Sequence, residues 1–319
     1  MTSITARGQD YGHDFVTVGA AGNRAPTLAE LPWYAPGNPL PQGVSYEYRI
    51  TRTEVLTEQW LEFVQAYSPY WTGIHNDVGF TGTFIYDDGG GYGLAGGSER
   101  WPIDPSWEMA ARYCNWLHNG KVNARWAFEN GAYDTSTFTV NPDFTVNHQL
   151  THNPGARFWI PTYDETIKAF YYDVNRYGEG QDGYWLYVNR SQTPGVSGLP
   201  ENGGTTNVGL GLNYYNAGGY PNVTSPWGLL DTSGGAPEMT ETVDGPMYRR
   251  RYVLGSSGLA GANTIYFNDR IDRITGLVFD YGYAAGGVDG FRVAAAIPSI
   301  PTCTLIGAGM LAFSRRRSL

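Results

Sequence analysis

Apolar and polar positions along the chain change period several times, and each change marks a predicted element. Over residues 46–55 (Tyr46-Glu47-Tyr48-Arg49-Ile50-Thr51-Arg52-Thr53-Glu54-Val55) they alternate, the period-2 pattern of a strand with one buried face. The period then lengthens. Over residues 57–67, Trp60, Leu61, Val64 and Tyr67 share a helical face, with Thr57 placed to cap the N-terminus. A second helix is predicted over residues 106–117, where Trp107, Ala110, Ala111, Cys114 and Leu117 recur at helical spacing. A third starts at Pro161-Thr162-Tyr163-Asp164-Glu165. There Thr162 and Glu165 form a capping box, and the two carboxylates favour the positive helix end, so their job is structural. The glycine-rich stretch 87–97 reads as a mobile loop. It cannot be a phosphate cradle, because no Lys-Ser/Thr follows it. Beyond Tyr172 the pattern dissolves into Gly-, Asn- and Tyr-rich irregular structure until a terminal strand over residues 290–294.

Composition explains that irregularity. Among 319 residues are 43 Gly, 24 Tyr and 10 Trp, a mixture suited to a fold of many turns with aromatic rings filling the space between them. The net charge of -9 argues against nucleic acid as a partner. It keeps the surface soluble or serves cation binding, since hard ions take carboxylate and carbonyl oxygens.

Cys114, on the apolar face of its helix, reads as a small buried thiol, and two cysteines make no disulfide scaffold in so long a chain. Of the five histidines only His148 and His152 stand at i, i+4. Asn153-Pro154 follows them and no Glu lies between, so they read as a surface loop pair and not as a zinc-binding helix. The alternating Asp269-Arg270-Ile271-Asp272-Arg273 reads as ion-paired surface.

The last residues carry a proline-bounded break, Ile297-Pro298-Ser299-Ile300-Pro301, an apolar run to Phe313, and Arg315-Arg316-Arg317. The run is shorter than the roughly 20 residues that span a bilayer comfortably. The arrangement resembles the PEP-CTERM sorting tail of exported bacterial proteins, with no Glu between its prolines. The resemblance implies an exosortase-type sorting enzyme as a partner and a cell-envelope or extracellular location, anchored at the inner membrane until the tail is processed. Residues 1–10 hold no apolar stretch, so the signal peptide that this route needs is missing from the sequence.

Five segments, in order, resemble the formylglycine-generating enzyme (sulfatase-modifying factor) domain. They are Tyr48 to Thr57, Ser106 to Leu117, Ile160-Pro161-Thr162-Tyr163-Asp164-Glu165, Trp227 to Thr240, and Gly290-Phe291-Arg292. Thr166 stands where the family has Trp, and Gly235 where it has Asn. The resemblance implies an α+β, C-type-lectin-like fold with few helices, short strands and much irregular structure. It divides the chain into an extension (1–12), the domain (13–296) and the tail (297–319). It further implies a structural Ca2+ held by Asp231 and Glu238 side chains with the Gly234 and Ala236 carbonyls; a second family calcium site would involve Asn213 and Tyr214.

The family's oxidases hold Cu(I) between two thiolates, which no oxygen or nitrogen ligand easily replaces. Those thiolates would fall near residues 266–273, where this chain has no Cys, and Cys303 in the tail cannot supply one. No copper is expected, and the oxidase chemistry is expected to be absent. Three readings stay open. The first is a non-catalytic binding domain for a ligand such as a glycan or protein, displaying rings as in Tyr184-Trp185-Leu186-Tyr187 and Asn213-Tyr214-Tyr215-Asn216. The second is a divergent oxidoreductase with altered metal chemistry, and the third a decayed gene product.

Overall fold

The structure, a computed structural model, describes residues 9–72, 77–139, 141, 147–211, 215–245, 250–278 and 289–298. The proline signature from Ser299 on, Cys303, the arginine cluster, and Asn213 with Tyr214 lie outside the described residues. No helix among the described residues is long and apolar enough to cross a membrane.

The strands run β1 (Phe15–Val18), β2 (Tyr48–Thr51), β3 (Ile85–Asp87), β4 (Tyr92–Leu94), β5 (Phe158–Trp159), β6 (Tyr172–Gly178), β7 (Gln181–Tyr184), β8 (Glu238–Val243), β9 (Arg251–Leu254), β10 (Gly276–Val278) and β11 (Ala294–Ala295). The helices are α1 (Thr57–Tyr67), α2 (Asp77–Thr81), α3 (Trp107–His118), α4 (Arg125–Glu129), α5 (Tyr163–Tyr171) and α6 (Ile265–Asn268). This is a mixed α/β chain of short elements. Its central sheet has the order β1-β2-β11-β5, antiparallel throughout, so the first and last described strands flank or pair with β2. A second sheet, β10-β9-β8, and two hairpins, β3-β4 and β6-β7, complete it.

The predicted helices are present, with one change of cap. Helix α1 begins at Thr57, whose hydroxyl donates to the Trp101 carbonyl, while the Gln59 amide oxygen accepts from the Leu56 N–H and closes the helix start. Ser106 caps α3 by accepting from the Met109 N–H. Thr162 and Glu165 make the capping box reciprocally, at 3.1 and 2.7 Å. Helix α3 is more than amphipathic: Trp107 through Leu117 is buried except at Arg112, so the helix runs through the core. Cys114 is fully buried there, and burial pushes its thiol well above the usual range.

Three expectations are corrected. The stretch 87–97 is not a free loop: Ile85↔Leu94, Tyr86↔Gly93 and Asp87↔Tyr92 pair across it, and Asp87 and Asp88 side chains accept the N–H groups of Gly89 and Gly90 in the turn. The region beyond Tyr172 contains β6 to β10, whose alternation is hidden because several of these strands are buried on both faces or broken by register shifts. Tyr184-Trp185-Leu186-Tyr187 is no surface display, since Tyr184, Leu186 and Tyr187 belong to the core.

The core is aromatic. Trp60 packs against Phe63, Tyr113 and Phe291, with ring centroids 4.7 to 5.8 Å apart. Phe291 comes from the segment just before β11, so it nails the end of the domain to α1 and α3. Phe291→Ala is expected to cost about 3–5 kcal/mol, read as a lowered urea midpoint with an unchanged slope.

Candidate functional site

Two of the residues expected at the calcium site, Asp231 and Glu238, converge on one buried arginine. Arg292 leaves the chain just before β11. Its Nε lies 2.9 Å from both Glu238 oxygens, its Nη1 donates to the Thr51 and Arg52 carbonyls, and its Nη2 donates to Leu230 O at 2.7 Å and Asp231 O at 3.3 Å. Glu54 stands 3.8 Å away. Burial opposes the guanidinium's charge, but Glu238 and Glu54 outweigh it and its pKa is raised. For Glu54, burial raises the pKa against the pull of Arg292, and nearby Glu238 and Asp231 raise it further. The pKa values of Asp231 and Glu238 also rise, chiefly through burial.

Asp231 and Glu238 therefore do share a cluster, but Arg292 holds both Glu238 oxygens and Asp231 Oδ2 accepts the Gly218 N–H at 2.6 Å. The Gly234-Gly235 turn presses on the same place. A Cβ on Gly235 would come within 2.5 Å of Glu54 Oε1, and one on Gly234 within 2.0 Å of Asn207 Oδ1, both at positive φ. Only glycine fits this turn. A narrow cavity opens between Glu54, Asn207, Asp231, Ser233 and Tyr215. Glu54 Oε1 and Asn207 Nδ2 are buried there without hydrogen-bond partners. Among the described residues no group of three or more His, Cys, Asp or Glu is arranged to hold a metal ion.

Where the resemblance would place thiolates, the structure puts Asp269. It is 1% exposed and accepts from Ser233 Oγ at 2.5 Å. Burial lifts its pKa from 3.8 to about 6, against the lowering effect of Ser233 and Ser256. The neighbouring charges are paired as expected but are not on the surface. Arg270 and Asp272 are buried, 2.8 Å apart, with the guanidinium 4.4 Å from the Trp33 ring centre.

The two histidines are not a surface pair either. His148 is buried, stacks on Trp107 and sits 2.8 Å from Glu108. His152 stacks on Trp159 at 4.7 Å and meets buried Glu241 through Nδ1 at 3.0 Å. Burial works against the charged ring, but Glu241 prevails and raises its pKa. Each histidine has its own carboxylate, so they do not act together.

A wider cleft lies elsewhere, between the end of α1, α3 and α4. It has a volume of about 440 Å3 and is lined by Tyr67, Tyr70, Trp71, Arg112, Glu129 and Phe138, among others. Sequence reasoning assigned Tyr67 to the core and passed over the rest. The available signal was the run Tyr67-Ser68-Pro69-Tyr70-Trp71, aromatic residues crowded at the end of α1, where the chain passes through Pro69 into a single 3-10 turn, Ser68–Tyr70.

No family model matches the chain, and no curated protein matches it in sequence. Solved structures do match. The crystal structure of CarF is 18% identical with a TM-score of 0.53, covering 90% of this chain and 100% of that one. Variable protein 1 of Treponema denticola is 17% identical with a TM-score of 0.51, covering 89% and 95%. PvdO from Pseudomonas aeruginosa is 14% identical, covering 89% and 92%, and its TM-score of 0.44 adds nothing to the argument. The likeness is one of fold: formylglycine-generating-enzyme-like, with few helices and short antiparallel strands.

The buried acids set a pH dependence. Folded, Asp269 keeps its proton to about pH 6; unfolded, it releases it near 3.8. Asp289 behaves alike, raised to about 6 by burial and by Asp104. These two acids therefore take up protons on folding in that window, and their contribution to stability falls as pH rises from about 4 to 6, whereas His13, buried neutral with its pKa lowered to about 3, contributes in the opposite direction. For Asp269 the loss is about 3 kcal/mol. Measured by urea midpoints at pH 4.5 and 7, Asp269→Asn should lose less stability than the parent over that interval.

Proposed function

We propose that the chain is a binding domain built on the formylglycine-generating-enzyme-like frame, without the oxidase chemistry of that frame. The observation that carries this reading is Asp269, a hard, buried carboxylate hydrogen-bonded by Ser233 where soft thiolates would be needed. Cys114 offers no substitute, because it is enclosed in α3 and its pKa is raised. The open, aromatic-walled cleft beside α3 supports binding as the alternative use of the frame.

Two further elements belong to the proposal. One is delivery to the cell envelope or exterior through the C-terminal tail and a sorting enzyme. Another is a glycan or protein ligand. The structural calcium ion that the resemblance implies at Asp231, Gly234, Ala236 and Glu238 stands outside it, because the residues present fit such an ion poorly. Glu238 could join such an ion only by giving up Arg292, and the other three residues alone offer few oxygens for a cation that takes six to eight. No role is derived from it.

Retention of the family's oxidase chemistry makes the opposite prediction in one assay. The full chain, loaded with Cu(I) in air and given a cysteine-containing sulfatase-type peptide, is expected to yield no formylglycine by mass spectrometry. Aldehyde product lost in Asp269→Ala would overturn the binding reading. In parallel, 1 mM calcium is expected to leave the melting temperature unchanged. A rise abolished by Asp231→Asn would establish the ion.

A further inference from the structure

The cleft beside α3 has two walls of different chemistry. One wall is flat: Phe80 stacks on Trp71 with centroids 4.8 Å apart and planes 26° apart, and Trp71 lines the opening. Tyr70 stands next to it, held in place by its hydroxyl donating to Asn123 O at 3.0 Å and by Arg125 lying 5.5 Å from its ring centre. Such ring faces suit the apolar C–H face of a sugar ring.

The other wall is polar and already neutralised. Arg112, its side chain 12% exposed, reaches Glu129 at 3.3 Å, and Phe138 lies 5.9 Å from its guanidinium carbon. Glu129 also accepts from the hydroxyls of Tyr67 and Thr135. Burial raises the pKa of Glu129, but Arg112 and these donors outweigh it, so it stays ionised. Across the whole cleft two arginines, Arg112 and Arg125, face two glutamates, Glu108 and Glu129, and Glu108 is 2.8 Å from His148.

An ion pair of this kind presents donors and acceptors side by side without net charge. Adjacent hydroxyls, each able to donate and accept, complement it. A charged group seated on Arg112 or Glu129 would have to break this pair, at the cost of leaving the partner ion uncompensated in a half-buried wall. We propose that this cleft binds a neutral hexopyranose unit of a glycan, with the ring on Trp71 and Tyr70 and a vicinal diol on Arg112 and Glu129. This inference rests on the binding-domain reading and specifies its ligand and seat.

The test is calorimetric titration of the full chain with cellohexaose, mannohexaose and a galacturonate hexasaccharide. At least one neutral sugar is expected to bind, and Trp71→Ala to weaken it tenfold or more. Thr139→Arg, an exposed change at the cleft mouth that does not touch the core, is expected to do the same and guards against a folding defect in the first variant. Undiminished binding in both folded variants would overturn the seat. Tighter binding of the galacturonate by tenfold or more would overturn the neutral-ligand argument, and no binding by any of the three would overturn the assignment of the ligand. None of these failures produces formylglycine, so they stay distinct from failure of the binding-domain reading itself.

Discussion

Several segments far apart in sequence meet at the Arg292 guanidinium. It joins the segment before β11 to the end of β2, to the turn carrying Asp231, and to the first residue of β8. All the partners are backbone carbonyls or carboxylates, so a planar fork of fixed donors can satisfy them where a flexible lysine could not. The arrangement is demanding. Three acids surround one cation, and the acids respond by holding protons more firmly, not by leaving the interior. Removing the guanidinium would leave buried carboxylates and orphaned carbonyls together, whereas removing any single acid would relieve a like-charge contact.

Around this polar knot the domain is filled by rings. Short strands and irregular segments leave gaps of uneven shape, and Trp60, Phe63, Tyr113, Phe128 and Phe291 close them edge-to-face or tilted. Buried tyrosines do double duty. Tyr133 packs against Trp107 while its hydroxyl donates to Glu241 and accepts from the Ile160 N–H. Tyr48 donates to the Glu165 carbonyl in the same way. This explains why a chain poor in regular structure can still bury its backbone polar groups.

How much of this was legible in the sequence depends on how local the cause is. The capping box at Thr162 and Glu165 and the apolar stripes of α1 and α3 act within a few residues, and they read correctly. Strands β8 and β9 pair across a register shift and bury charged as well as apolar side chains, Glu238, Glu241 and Arg251 among them, so no alternation announces them. The charged run at 269–273 looked like surface because its signs alternate. Its burial depends on Trp33 and Ser233, which arrive from distant segments. The aromatic cleft shows in the sequence only as its Tyr67-to-Trp71 edge, since Trp71, Arg112 and Phe138 become neighbours only after folding. The Gly290-Phe291-Arg292 segment is only three residues long, yet it supplies both the Phe291 nail and the Arg292 fork.

The order β1-β2-β11-β5 has a consequence in time. Strand β2 pairs with β11 through Ile50↔Ala294, partners separated by most of the chain. Closing so long a loop is entropically costly, and folds dominated by such contacts form slowly. During synthesis the central sheet stays incomplete, with one side of β2 unpaired and Trp60 lacking Phe291, until Ala294 has left the ribosome. Until then, α1 and α3 present an aromatic surface to the surroundings, and this protein's most vulnerable moment is that wait.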